Sequence, residues 1–280
     1  MSANAEQSTF WQELAPDWIA ATEHSDIVAA PFGVAAMGLL ELTAGQTVVD
    51  IGCGTGSTTL ELARRVAPGG SAVGVDISPA LVAAAEDQER TQAVGNVSFR
   101  IADAQEDAFA PGDFSAAYSR FGVMFFADPS AAFANIRRAL RADGVLAFSC
   151  WQSIFENEWM FVPGSAVVTV TGALPPMPGP DEPGPFSLAD ADLIRAVLTD
   201  AGFRSVEIEP HSHPVELPET KIESLVALTQ RVGPVREALR TADADTAARI
   251  EAAVRDALVA RLDGGTVRLS AGAHLVRARA

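Results

Sequence analysis

Between positions 48 and 56 the chain reads Val-Val-Asp-Ile-Gly-Cys-Gly-Thr-Gly, an acid placed two residues ahead of three alternating glycines. Gly52, Gly54 and Gly56 allow positive φ and a close approach of bare backbone to a ligand, with Cys53 between the first two. A dinucleotide fingerprint begun at Gly52 would need a third glycine at position 57, where Ser57 stands. A pyrophosphate wants unencumbered amides at a helix N-terminus, whereas an acid such as Asp50 at a strand end suits a ligand with a cationic end. Asp76 and Asp103 follow at the ends of the next two candidate strands, so the three carboxylates are expected to converge on one ligand. Alone, Asp76 could equally cap the helix that follows Ser78, and Asp103 has Glu106 and Asp107 as ordinary acidic neighbours. Arg120 could clamp a carboxylate, hold an anionic substrate, or pair with Asp17 or Asp50.

The elements that must position these residues read as an α/β alternation. Thr47–Ile51, Ser71–Val75, Val97–Ile101, Phe114–Ser119 and Val145–Trp151 are short apolar runs, as expected of parallel strands buried on both faces. Helices are expected at Thr58–Val66, from Pro79 to about Arg90 with Ser78 as N-cap, and at Pro129–Leu140. Five strands with intervening helices imply a doubly wound, Rossmann-like α/β fold, here a seven-stranded, mostly parallel sheet with helical lid insertions. Residues 102–113 show no clear helix. Ahead of the core, residues 1–44 read as a helical lid: a stripe over Thr9–Ala21 interrupted by Pro16, then Phe32–Leu42 after Pro31. The ligand-binding core is assigned to 45–152. Residues 153–186 form a Pro-rich insertion, within which Leu174–Pro185, with six prolines, reads as a stiff surface excursion. Residues 187–280 complete the sheet, with a helix at Leu188–Ala201, a strand at Val206–Glu209, a helical insertion at about 211–263 and a last strand from Thr266.

The stretch from Gly45 to Trp151 resembles the class I S-adenosylmethionine-dependent methyltransferases, most nearly their ubiquinone/menaquinone C-methyltransferase-like branch. The likeness is carried by VVDIGCGTGSTTLELA, VGVDIS, ADAQ, SRFGVMFFADP and FANIRRALRADGVLAFSCW in that order, with weaker support from GPFSLAD and SAGAHLVRAR. It implies S-adenosyl-L-methionine as cofactor, with Gly52, Gly54 and Gly56 against the methionine part and Asp50 accepting from its ammonium. It further implies that Asp76 accepts from the ribose hydroxyls and that Ile77 packs on adenine. The adenine amino group would meet Asp103, the Ala104 amide would face the ring beside Ala102, and Ser119 would stand next to the methyl donor.

Methyl transfer from a sulfonium is an in-line displacement, so the protein contributes alignment, exclusion of water and, where needed, a base. Many relatives carry a histidine after the fourth strand; here Val123-Met124-Phe125-Phe126 offers no titratable group. His24, in the segment expected to fold over the cofactor, is the candidate base, set against the reading of an exposed loop histidine, and Arg120 is the other catalytic candidate. Phe32, Phe121, Phe125, Trp151 and Trp159 are expected to line an apolar pocket for a small hydrophobic or aromatic acceptor, methylated on oxygen or carbon. The alternative is a non-methylating cyclase or lyase on the same scaffold; a nicotinamide oxidoreductase and a pure interaction module are more distant rivals.

With 20 basic against 36 acidic residues the formal charge is −16, and no basic cluster interleaved with aromatics is present, so nucleic acid is not expected as a partner. No run of about 18 apolar residues suggests a membrane span, and the N-terminus does not read as a secretory signal. Cys53 and Cys150 read as buried thiols of a cytoplasmic protein. Four histidines without a CxxC motif give no metal site; His211 and His213 alternate as on one face of an edge strand, with exposed rings. A homodimer is compatible with the sequence, which does not determine the oligomeric state.

Overall fold

The computed structural model describes the whole chain apart from residues 1–3, 108, 176, 180 and 181. Its strands are β1 (Thr47–Ile51), β2 (Ser71–Asp76), β3 (Val97–Ile101), β4 (Phe114–Arg120), β5 (Leu140–Trp151), β6 (Arg204–Pro218), β7 (Leu262–Asp263) and β8 (Thr266–Arg279). The helices are α1 (Ala5–Gly38), α2 (Ser57–Val66), α3 (Pro79–Gln92), α4 (Pro129–Ala139), α5 (Glu158–Thr171), α6 (Ala191–Asp200), α7 (Ile222–Arg231), α8 (Gly233–Leu239) and α9 (Ala244–Val259). Strand order is β3-β2-β1-β4-β5-β8-β6, with the two-residue β7 paired to β8 off that path. The first five strands are parallel, and β8 is antiparallel to both β5 and β6. The chain runs outward from β1 through β2 to β3 and then crosses to β4 on the other side of β1. This topological switch point is where open α/β sheets leave a crevice at the carboxyl ends of their strands.

Local chemistry accounts for the central elements. The strands β1 and β4 and the 144–151 part of β5 are largely buried on both faces, without the alternation of a half-exposed strand. Helix α3 starts at Ser78, whose Oγ accepts from the Leu81 amide at 3.5 Å, with Pro79 in its first turn, and α4 repeats the device with Asp128 and Pro129. Apolar side chains of α1, α2 and the sheet form one buried cluster around Val48, Leu62 and Tyr118; a larger one surrounds Phe133, Phe148 and Leu146.

The N-terminal region departs from the sequence reading. Pro16 and Pro31 do not divide it: α1 runs unbroken for 34 residues through both. An internal proline removes one hydrogen bond and costs about 3 kcal/mol in an isolated helix; here burial of Leu14, Ala15, Ala21, Val28, Phe32, Ala36 and Met37 along its length opposes that cost. At the other end β6 extends to Pro218, pairing in register with β8 down to Thr266, so helix begins only after the strand. His211 and His213 lie on this edge strand as expected, but their rings are half-buried and not exposed, packed at 5.6 and 6.2 Å from the Phe32 ring. Both cysteines are free and buried. Among the described residues no cluster could hold a metal ion, and no helix is long and apolar enough to cross a membrane.

Candidate active site

A cavity of about 540 Å³ opens above the carboxyl ends of β1, β2, β3 and β4, within the range of roughly 300–1,000 Å³ typical of small-molecule sites. One side is made by the loops at the strand ends. After β1 the chain turns through Gly52 and Gly54 with φ of +67° and +55°, and the amides of Gly52 and Cys53 both donate to the Val75 carbonyl at 2.9 and 3.0 Å. A Cβ at Gly52 would stand 3.0 Å from the Gly122 Cα, so the close pass between the β1 and β4 loops requires glycine there. Gly52, Cys53 and Gly54 line the cavity. Gly56 does not: it is the left-handed N-cap of α2, and a Cβ there would meet Ala85 and Phe99 at 2.8 Å. Its glycine serves helix packing.

Asp76 lies at the tip of β2, lines the cavity and ties the loops together, one oxygen accepting from the Gly54 amide and the other from the Ser78 amide, each at 2.9 Å. Burial raises its pKa above the ordinary carboxylate value, opposed by those amide bonds. Asp103, beyond β3, also lines the cavity; its Oδ1 accepts from Asn4 Nδ2 at 3.1 Å and the Gln105 amide at 2.9 Å. Its Oδ2 is buried with no hydrogen-bond partner among the described residues. A buried carboxylate oxygen left open is costly without a donor. Ile77, Ala102 and Ala104 complete this wall.

Asp50 is placed differently from the expectation of three converging acids. It is fully buried and absent from the cavity wall. Its Oδ2 accepts from Thr58 and Thr59 hydroxyls at 2.7 Å each, while Oδ1 has no partner among the described residues. The side chain turns back beneath the glycine loop to the first turn of α2, where a helix N-terminus favours negative charge. Burial pushes its pKa up to about 6, with the two threonine bonds and the Arg120 charge opposing. Ser119 is likewise buried off the cavity: its hydroxyl donates to the Ile51 carbonyl at 2.7 Å and accepts from the Gly122 amide at 3.2 Å, clamping the ends of β1 and β4.

Arg120 reaches the cavity, and its ion pair is with neither candidate from the sequence: Nη1 lies 2.8 Å from Asp26 Oδ1, and Nη2 donates to Ser57 Oγ at 3.3 Å. The unbroken α1 carries Asp26 to this position, and Asp17 is engaged instead by Arg231 and Arg236. His24 lies on α1 inside the helix, half-buried, and is not among the cavity residues, whereas Thr22 and Ser25 are.

The opposite side is aromatic. Phe121 has a left-handed backbone (φ +61°), unusual for a bulky residue, and its ring stacks on Trp151 at 3.7 Å and 14°. Trp159 lies 5.4 Å from Trp151, its indole donating to Asn157 Oδ1 at 3.1 Å. Phe125 meets Trp11 edge-on at 4.8 Å. These four expected residues line the cavity; Phe32 stands behind, edge-on to Trp151 and Phe121 at 5.3 and 6.0 Å. Within the N-terminal segment expected as a lid, the sequence did not single out the residues that reach the cavity, Asn4 before α1 and Gln7, Trp11, Leu14, Trp18, Thr22 and Ser25 on it, nor did it point to Arg236 and Glu237 on α8. The three- and four-residue spacing of the residues on α1 is a helical stripe in the sequence, masked there by the two prolines. The Pro-rich segment is tied to the core by the Gly184 amide and Ser187 hydroxyl, both donating to the Met124 carbonyl, and residues 182–185 of it face the cavity.

The residues fit S-adenosylmethionine: a glycine cradle beside one tip acid with two amides already bound, and a second tip acid with a buried oxygen awaiting a donor. A methyltransferase-domain family model matches residues 48–144, the stretch that forms this half of the cavity. Nocamycin O-methyltransferase of Saccharothrix syringae is 29% identical over 82% of this chain and 83% of its own. Among solved structures, the YcgJ protein of Bacillus subtilis superposes with a TM-score of 0.58 at 16% identity, over 89% of this chain and 97% of that one. Phosphoethanolamine N-methyltransferase 2 of Haemonchus contortus, solved in complex with S-adenosyl-L-methionine, gives a TM-score of 0.53 at 18% identity, covering 88% of this chain and 51% of its own. With an α/β Rossmann-like fold and a methyltransferase domain between residues 48 and 144, the protein is an S-adenosylmethionine-dependent methyltransferase.

Proposed function

We propose that the chain methylates an oxygen atom of a small, largely hydrophobic molecule. The observation that carries this reading is the continuity of one cavity, with Asp76 and Asp103 at one end and the Phe121–Trp151–Trp159 wall at the other. Asp76 would accept from the ribose hydroxyls, Asp103 from the adenine amino group through its open Oδ2, and Gly52 and Gly54 would lie against the methionine part. Asp50, one layer below, would hold the loop in shape and supply negative charge beneath the ammonium. S-adenosylmethionine brings an activated methyl group, so this chain's own work is to bind, align and exclude water. Helix α1, the 182–185 segment and α8 would close over the acceptor. His24, away from the cavity, is not assigned the base; Arg120, paired to Asp26, would order the cover over the β4 end. The resemblance to quinone C-methyltransferases leaves carbon as the competing acceptor atom, while the extended likeness to an O-methyltransferase favours oxygen.

The test is S-adenosylhomocysteine formation from S-adenosylmethionine across a panel of hydroxylated and carbon-nucleophilic aromatics, with product masses and methyl carbon shifts read by NMR. Oxygen-bound methyl on an apolar member is the expected result. Product carrying the methyl only on carbon would replace this reading, and tight S-adenosylmethionine binding with no S-adenosylhomocysteine from any member would point to a non-methylating enzyme.

A further inference from the structure

Arg236 brings a second cation, besides the Asp26-paired Arg120, to a cavity wall that is mostly apolar. It lies on α8, its side chain 15% exposed, the most buried arginine of a small cluster. Nε faces Asp17 Oδ2 at 3.3 Å and Nη1 faces Glu237 Oε1 at 2.7 Å. Those contacts hold the plane of the guanidinium and leave its Nη2 edge without a hydrogen bond among the described residues. Arg231 shares Asp17, and Arg240 shares Glu237, so three guanidiniums face two carboxylates, a local positive excess in a chain of net charge −16. Among the described residues of the wall there is no histidine, and its carboxylates are engaged, Asp76 by two amides, Glu182 by the Gly179 amide and Glu237 by arginine, while Asp103 is held through Oδ1 by Asn4 and Gln105 and its open Oδ2 is the oxygen assigned above to adenine.

Resting on the methyl-transfer reading above, we infer that the acceptor is an oxygen acid bound as its anion, a carboxylate or delocalised enolate, and that Arg236 is the residue that selects it. An anion entering an apolar cavity needs a partner that compensates lost hydration, and a guanidinium edge supplies donors matched to two oxygens. The step then balances without a protein base. The acceptor oxygen bonds to the methyl carbon as the carbon–sulfur bond breaks and its electron pair stays on sulfur. One negative and one positive charge cancel, leaving a neutral ester or enol ether and a neutral thioether, and no proton moves. A merely structural clasp between α1 and α8 would be indifferent to acceptor charge.

The experiment measures binding by calorimetry to the protein loaded with S-adenosylhomocysteine, followed by turnover with S-adenosylmethionine. The probes are naphthoic acid and an acylated cyclic diketone, each against a neutral counterpart of the same skeleton, naphthylmethanol and naphthamide for the acid. The anions are expected to bind at least about tenfold more tightly than their neutral counterparts. Arg236→Gln should weaken anion binding about tenfold or more and leave neutral probes within about twofold, with Arg236→Lys intermediate because it keeps charge but loses the planar fork. Arg231→Gln, which loosens the same clasp from outside the cavity, should leave anion binding within about twofold. For turned-over anions at saturating S-adenosylmethionine, kcat/KM should stay flat between about pH 7 and 8, above the Asp50 titration, since acids of low pKa are already ionised there. No preference for anions, or equal weakening of both probe classes by Arg236→Gln, overturns the inference. Failure to bind S-adenosylhomocysteine would overturn the methyl-transfer reading instead.

Discussion

The two ends of the cavity are held by different kinds of bond. The glycine-loop end comes mainly from residues 51–104, and apart from Asn4 on Asp103 its contacts are to backbone: Asp76 to the amides of Gly54 and Ser78, and two loop amides to the Val75 carbonyl. The acceptor end is gathered from α1, the turn after β4, the 182–185 segment and α8, and is held by ring contacts and side-chain ion pairs such as Asp17–Arg236. Backbone bonds set by glycine and a strand end tolerate almost no variation in side chain. A wall of rings and thioethers, here Met124, Met160 and Met177, can be repacked. The contrast teaches that the methyl donor can be bound by a loop whose backbone fixes its residue types while the acceptor wall remains free to change.

The largest effect that could break this contrast is at Trp151. Trp151→Ala removes a buried ring stacked on Phe121 and should cost about 3 kcal/mol or more in denaturant unfolding. Acceptor turnover should be lost while the S-adenosylhomocysteine dissociation constant stays within about threefold. A matching collapse of cofactor affinity would mean the two ends are not separable.

Asp50 sharpens the comparison through pH. Its folded pKa of about 6 lies above the ordinary 3.8, so its contribution to stability is full below about pH 4 and is lost as pH rises through 6. Asp50→Asn does not titrate. Its stability relative to the unsubstituted protein should therefore move in its favour by about 2 kcal/mol between about pH 4 and 7, measured by urea unfolding without cofactor. Parallel curves for the two proteins would show that Asp50 is not the strained acid of the loop.

Asp76→Ala should raise the dissociation constant for S-adenosylhomocysteine at least about tenfold, about 1.4 kcal/mol, by isothermal calorimetry. An unchanged constant would remove Asp76 from the site. The smallest effect belongs to Leu174→Ser, 84% exposed at the start of the Pro-rich segment: stability should stay within about 0.5 kcal/mol and cofactor affinity should not move. A larger change would assign that exposed leucine a role in the cover.

The difference in bonding also explains what could be read in advance. β1 and β3 have the bounds that their apolar runs indicate, β2 and β4 extend one residue further, and Ser78-Pro79 starts α3 as its residue types require. Asp76 and Asp103 could be located because a strand end is a local signal, and each faces the cavity. Asp50 carries the same signal, yet its direction is decided by Thr58 and Thr59 eight and nine residues on, after the chain has turned. Likewise Gly56 has the spacing of a ligand glycine but is held by contacts to Ala85 and Phe99. Pro16 and Pro31 are genuine local breakers, overridden by the buried contacts of α1 against the sheet and lid.

From residue order alone came the α/β alternation, the glycine loop and the acids at the strand tips, because hydrophobic period, positive φ and strand termination are short-range properties. Tertiary structure decided that α1 is continuous, that Asp26 takes Arg120, that His24 stands off the cavity and that Arg236 reaches it. Those outcomes depend on which distant surfaces pack together, and the free energy of that packing is shared among many weak contacts that no local window of sequence contains.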